Sequence, residues 1–323
     1  MTLTPSKYAS RVGSSLFWQR LGVCYMCLFL IILFFKNSQA ASAWVSRGLE
    51  LCAKKLIPSL FPFMVISSLI VLLDVGKHIF AVFKKPFSAL FGISSDAVCA
   101  LCLGWLCGFP VGAKCAGALY DSGRISLGEY KKTVCISSTP SPAFLIGTVG
   151  GSMLGSVRAG ILIYTASVAA SILLGIGLNF CVKDDGERVS GNSAPRKRPS
   201  FSEALTRSVA DSAVDMLKVC AFIVFFSAFL GAIEQLLDTI YLSDTLEAII
   251  FSAFELTSGT ARICELGANS CLALASAAAG WSGLSVHFQI MTICNGRNLK
   301  FNSYFIFHLL KCALCFTLVA FLT

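Results

Sequence analysis

Lys114 and Arg262 offer the most chemistry in this chain, because each is a cation set inside a long apolar stretch. Each follows a glycine, Gly112 or Gly259, by two or three positions at an interruption of the apolar pattern. A cation at bilayer depth is costly and usually faces a cavity or a partner. Together the two would clamp a solute carrying two carboxylates, arginine giving a bidentate fork and lysine a point charge. The other reading is a structural ion pair for each: Arg262 with Glu255 or Glu265, and Lys114 with Asp121. Glu255 stands just before the second interruption and is the best carboxylate for proton or cation coupling. His287 is the second coupling candidate, since a histidine titrates near neutral pH. A satisfied interior histidine is the alternative.

The interruptions come in two matched pairs. In the first half Gly108-Phe109-Pro110-Val111-Gly112-Ala113-Lys114 is followed by Ser138-Thr139-Pro140-Ser141-Pro142-Ala143-Phe144. In the second half Glu255-Leu256-Thr257-Ser258-Gly259-Thr260-Ala261-Arg262 is followed by Gly280-Trp281-Ser282-Gly283-Leu284-Ser285-Val286-His287. Proline removes a backbone donor and glycine weakens a helix. Non-helical backbone at membrane depth is tolerated where it lies inside protein or lines a wet cavity. Broken helices at matching positions of two halves point to a transport site, with freed amides for anions and freed carbonyls for cations. The candidate binding set is therefore Gly108, Pro110, Gly112 and Lys114; Thr139, Pro140, Ser141 and Pro142; Thr257, Ser258, Gly259 and Arg262; and Trp281, Ser282 and Gly283. A simple kink is the plain alternative for any single break.

The elements that position these residues follow from composition. The chain is 56% hydrophobic and 13% charged, with mean hydropathy +0.77. Apolar runs of about 18 residues recur along its length, so the fold class is an all-α polytopic membrane protein. No polar segment is long enough for a soluble domain. Most of the 15 cysteines lie in apolar segments. The C-x-x-C pairs Cys24/Cys27, Cys99/Cys102 and Cys312/Cys315 have no further ligand nearby in sequence, so they read as small apolar fillers rather than a metal site. No cofactor, nucleotide-binding motif or catalytic pair stands out, and a non-enzyme is expected. The net charge of +9 does not form a nucleic-acid patch, because the basic residues sit in loops and there report topology.

Placing the basic loops on the cytoplasmic side gives one threading. The N-terminus lies inside, and an uncleaved anchor over Leu21–Phe35 goes out. The stretch Ser42–Lys55 reads as an interfacial amphipathic helix, and Pro58–Val75 comes back. The arms of Ser95–Asp121 are about 13 residues each, roughly 20 Å and too short to cross, so they form a re-entrant hairpin. A broken span over Thr133–Gly151 and a span over Val157–Cys181 lead to a basic cytoplasmic linker, 183–200. The second half repeats the order from the other side: Leu217–Leu237, an outside hairpin over Ser243–Asn269, a broken span over Cys271–Cys294, and Phe301–Leu322 ending outside. The expectation is an inverted-topology repeat with two re-entrant hairpins and two broken spans, preceded by one extra N-terminal helix. Its units are an anchor (1–41), two repeats (42–182 and 201–323) and the linker between them. His78, Lys84, Lys85 and Lys311 are expected near interfaces, snorkelling.

Four motifs in order, Leu56-Ile57-Pro58-Ser59-Leu60-Phe61-Pro62-Phe63, Cys107–Lys114, Ser138–Phe144 and Gly280–His287, resemble the YlbJ (SpoVV) sporulation integral membrane proteins. That family carries a nucleoside-recognition, or Gate, domain similar to the core of concentrative nucleoside transporters. The resemblance covers roughly Glu50 to the C-terminus. It departs at Thr139, where the family pattern leads one to expect asparagine. What the resemblance implies is a transporter in the mother-cell-derived membrane around the forespore, moving dipicolinic acid, a small aromatic dianion. A carrier for a nucleoside or other neutral solute, and a non-transport assembly factor, are the competing functions. Membrane lipid is one partner; a homo-oligomer or a sporulation membrane partner is left open.

Overall fold

The computed structural model describes residues 5–182, 199–267 and 271–323. The expected linker lies almost wholly outside them. Among the described residues there is no strand, and the chain is all-α. The first half runs α1 (Pro5–Lys36), α2 (Ser38–Leu51), a π-helical turn (Cys52–Leu56), α3 (Ile57–Leu72), α4 (Gly76–Ile79), α5 (Ala81–Phe91), α6 (Ser95–Cys107), α7 (Phe109–Asp121), α8 (Leu127–Ser137), a π-helical segment (Ala143–Met153) and α9 (Val157–Cys181). The second half runs α10 (Phe201–Asp238), α11 (Asp244–Phe254), α12 (Leu256–Glu265), α13 (Cys271–Trp281), α14 (Leu284–Ile293) and α15 (Phe301–Ala320). Four described helical stretches are long and apolar enough to cross a membrane, or up to six if two bent pairs count as spans.

Serines set many of the starts. Ser94, Ser126, Ser156, Ser200 and Ser243 each accept a bond from an amide three residues on, which satisfies a first-turn donor. Ser126 and Glu129 form a full capping box, and Glu129 also accepts from the Ser94 amide, tying the start of α6 to that of α8.

One expectation fails here. The stretch 42–55 is not an interfacial helix of its own. Segments of 14, 5 and 16 residues join without a break from Ser38 to Leu72. This long rod packs along α10, which has 38 residues. Gly48 receives Ser227, Gly231 receives Trp44, and Asn37 Nδ2 donates to the Ala232 carbonyl at 2.9 Å. The polar face that suggested an interface is used partly within the protein: Trp44 Nε1 donates to Glu234 at 2.6 Å. The sharp corner comes earlier, at Asn37, where α1 and α2 meet at 92°. Along α1, Trp18, Tyr25, Phe29 and Phe35 stay exposed, an apolar face suited to lipid.

Two tight helical hairpins form where short arms were expected. Arms α6 and α7 reverse at Gly108, whose φ of 95° is open to glycine and strained for other residues. Their crossing needs small residues: a Cβ on Gly112 would lie 2.7 Å from Ser137 Cβ and 2.9 Å from Gly104 Cα. Arms α11 and α12 reverse at Glu255, and a Cβ on Gly259 would fall inside the Ser252 backbone. Gly259→Ala is therefore expected to prise this hairpin open at a cost of about 3 kcal/mol, the upper range for overpacking. Thermal unfolding of the purified protein in detergent would show it as a lower midpoint, and an unchanged midpoint would contradict the close approach.

Two further helices are broken. Residues 138–142 separate α8 from the Ala143–Met153 segment, and Ser282 and Gly283, both at positive φ, separate α13 from α14. The packing crosses the two halves. Hairpin α6–α7 and half-helix α8 share one apolar core with α14, while α12 and α13 share another with the Ala143–Met153 segment.

Candidate functional site

Each break leaves the middle of a helix without its own backbone partners, and the fold sets the breaks against one another. Gly108 abuts Ser141, so the first hairpin tip touches the first broken helix. Gly283 abuts the Glu255–Leu256 backbone, so the second tip touches the second. Between these two contacts lies a cleft, partly open to its surroundings. Its wall takes Gly108, Phe109 and Pro110 from the first tip and Pro140, Ser141, Phe144 and Thr148 from the first broken helix. Glu255, Leu256 and Thr257 come from the second tip, and Val286 and Gln289 from α14. Leu51, Leu56 and Leu60 of the long rod and Val219 and Ile223 of α10 complete it.

Six of the residues expected from sequence thus share one wall: Gly108, Pro110, Pro140, Ser141, Thr257 and Glu255. Others stand directly behind it. Gly112 and Gly259 make the hairpin crossings, and Gly283 the contact between tip and break. Ser258 and Thr257 donate their amides to the Glu255 carboxylate at 2.7 and 3.0 Å. That carboxylate is the N-cap of α12, its charge set against a helix N-terminus. Pro142 starts the π-helical segment. Trp281 Nε1 holds the Ala253 carbonyl at 2.9 Å, and Ser282 Oγ turns back onto Ala279 at 3.2 Å. His287 is fully buried among Trp281, Tyr304, Phe305 and His308, away from the wall.

The expected clamp does not assemble. Neither Lys114 nor Arg262 lines the cleft, and each already has carboxylate partners. Lys114 Nζ lies 2.8 Å from Asp215 Oδ2, not near Asp121. Asp121 instead receives Arg297, with Nη2 2.7 Å from Oδ2. Arg262 forks between Glu234 and Glu247 rather than Glu255 or Glu265, and its guanidinium stacks 3.8 Å over the Phe251 ring. Asp215 and Glu234 are both on α10, 19 positions apart, which puts about 28 Å of helix between the two anchors. No small solute bridges that distance.

Lys311 also departs from expectation. It does not snorkel; it is fully buried on α15, and its ammonium donates to the Ser138 carbonyl at 2.9 Å and Thr139 Oγ1 at 2.8 Å. Thr139 further meets Ser171 Oγ at 3.2 Å. His78 and Lys85 are exposed and Lys84 is half-buried. Motif reading missed two polar wall residues, Thr148 and Gln289, the latter with Nε2 3.2 Å from Ser285 Oγ. The signal of Gln289 was available, as an amide side chain inside an apolar helix.

Helices and cleft together define an all-α, multi-pass integral membrane protein with a cavity at its broken helices. The chain is 23% identical over 322 residues to the sporulation integral membrane protein YlbJ of Bacillus subtilis (strain 168), a match covering 88% of this chain and 78% of that protein. The resemblance carried by the four motifs therefore holds, and the chain is a relative of the YlbJ sporulation integral membrane proteins. No protein-family model matches it, and neither does any solved structure.

Proposed function

We propose that this chain is a secondary carrier in a sporulation membrane, whose two Gate-type repeats of inverted topology move around the cleft at their four breaks. In this reading the solute is a small aromatic anion, dipicolinic acid, carried toward the forespore. The observation behind it is the meeting of both hairpin tips and both broken helices on one cleft. Helix α7, the Ala143–Met153 segment, α12 and α14 all begin at these breaks. The N-termini of α7, the Ala143–Met153 segment and α14 supply the partial positive charge that the paired Lys114 and Arg262 do not, while that of α12 is taken by its Glu255 cap. The crossed packing of hairpins and half-helices from opposite halves supports inverted topology. So does the bond between Arg297 and Asp121, which brings the basic loop after α14 to the open end of the first hairpin. In this reading positive-inside placement of that end leaves the C-terminus outside.

A neutral solute such as a nucleoside is the second reading. It is favoured by the wall itself, whose polar side chains are Ser141, Thr148, Thr257, Gln289 and the capped Glu255, with no lysine or arginine. Exchange of labelled for unlabelled dipicolinate across proteoliposomes tests both. Saturable exchange, unaffected by nucleosides and at least 10-fold weaker in affinity for Gln289→Leu, is the expected result. Inhibition by nucleosides would select the second reading. Absence of exchange with either solute would overturn the carrier and leave an assembly role.

A further inference from the structure

Lys311 has a position that packing alone does not explain. Its helix, α15, touches both broken helices at one level. On one side, a Cβ on Gly280 would lie 2.8 Å from the Lys311 carbonyl and 2.9 Å from Cys312 Cα, so α13 rides directly on the α15 backbone just before its break. On the other side the Lys311 ammonium reaches across to the first break and takes the Ser138 carbonyl and Thr139 hydroxyl. Among the described residues no carboxylate pairs with it, although it is completely shielded. A buried cation without a counter-charge is among the costliest groups a membrane protein can hold. Freed carbonyls at a helix break are where such carriers seat a metal cation. Here the tethered ammonium occupies that seat.

The surroundings suit a proton rather than a fixed charge. Three residues back on the same face, His308 Nδ1 lies 3.2 Å from the Gly280 carbonyl. A donating Nδ1–H there leaves the lone pair on Nε2, which has no partner in the protein. The His287 ring of α14 stands 5.2 Å from that of His308, and Tyr304 packs at 4.4 Å. The remaining titratable neighbours are thiols: Cys312 and Cys315 on α15, Cys135 on α8 and Cys294 at the end of α14. Helix α13 carries no charged residue. Helix α9 has only Arg158, in its exposed first turn, and the charged residues of α8 lie at least six positions before Ser138.

We propose that Lys311 is the proton-binding site through which this carrier is coupled to a proton gradient, its ammonium standing where another carrier would bind a metal cation. The inference rests on the reading of the chain as a carrier. When the Nζ–H bond breaks, the amine keeps the electron pair and the proton leaves to solvent water as hydronium. The neutral amine then loses its charge-assisted hold on Ser138, and the first broken helix is released from α15 while the second stays docked through Gly280. Protonation restores the tie. One proton thus switches the contact between the two broken helices.

The test uses the full chain in proteoliposomes, with labelled dipicolinate as the probe and a nucleoside as the alternative. Wild type is expected to accumulate the probe under an imposed proton gradient and not under a sodium gradient, and to take up protons with it in weakly buffered vesicles. Lys311→Met and Lys311→Arg are expected to lose gradient-driven accumulation at least 10-fold while retaining solute-for-solute exchange, which needs binding and access but no net proton movement. Accumulation by Lys311→Met under the proton gradient would overturn the proposal and leave the carrier standing. Net solute accumulation by wild type without proton uptake would overturn it without recourse to any variant. Lack of exchange by wild type would overturn the carrier reading, and this coupling with it.

Discussion

Glu255→Ala is expected to abolish solute exchange, by 100-fold or more, and to lower the thermal midpoint of the purified protein. The carboxylate at the second hairpin tip is 2% exposed and accepts both the Thr257 and Ser258 amides. Removing it strands two shielded donors, each costing about 1–3 kcal/mol. The tip cannot rewind to satisfy them, because Gly283 presses on the Glu255 and Leu256 backbone from the opposite side. The first turn of α12 therefore frays into the cleft it helps to wall. Glu255→Gln keeps one oxygen acceptor in place and should retain exchange within about 10-fold. The same variant separates capping from coupling: a coupling carboxylate would lose proton-driven accumulation on conversion to glutamine and keep exchange, whereas a cap keeps both. Wild-type exchange by Glu255→Ala would refute the capping role.

Arg262→Ala is expected to deplete the protein from the membrane rather than to leave an intact but inactive carrier. The guanidinium holds Glu234 of α10 and Glu247 of α11 together and stacks on Phe251. Removing one partner of a fully buried charge group costs about 3–5 kcal/mol, mostly because the remaining charges stay shielded and unpaired. These carboxylate side chains are 26% and 18% exposed, which reduces the loss to roughly 2–3 kcal/mol. Two carboxylates left facing each other add repulsion. Adding Glu234→Gln and Glu247→Gln to Arg262→Ala should restore protein level and thermal midpoint. A substrate-binding arginine would behave differently: the single variant would accumulate normally, and the added amides would restore nothing. Immunoblots of membranes carrying the single and triple variants decide between the two roles.

The breaks were legible in the sequence because they are local backbone properties. Gly108, the Pro140 and Pro142 pair, and Ser282-Gly283 interrupt apolar runs with residues that cannot continue a helix or that tolerate positive φ, and each interrupts a helix in the structure. The arms of the first hairpin fall within the expected 95–121, and the helix Val157–Cys181 has its expected ends. The amphipathic stretch 42–55 misled for a definable reason. A polar stripe looks the same whether it faces lipid headgroups or a neighbouring helix, and here Trp44 turns toward Glu234, 190 residues away.

The cations show most plainly where sequence stops. That Lys114, Arg262 and Lys311 lie within apolar stretches is written in the chain, and so is the need of Lys114 and Arg262 for a partner, whereas Lys311 read as interfacial. Which partner each finds depends on contacts across long separations: Lys114 with Asp215, Arg262 with Glu234 and Glu247, Lys311 with a carbonyl 173 residues earlier. Coulomb attraction and hydrogen bonding act over a few ångströms of space, whatever the distance along the chain. The sequence by itself thus determined the class of protein, the places where its helices break and the kinds of residue at those places. Only the tertiary structure decided that two of these cations are tied to carboxylates, that the third is buried across the first break, and that the breaks themselves close around one cleft.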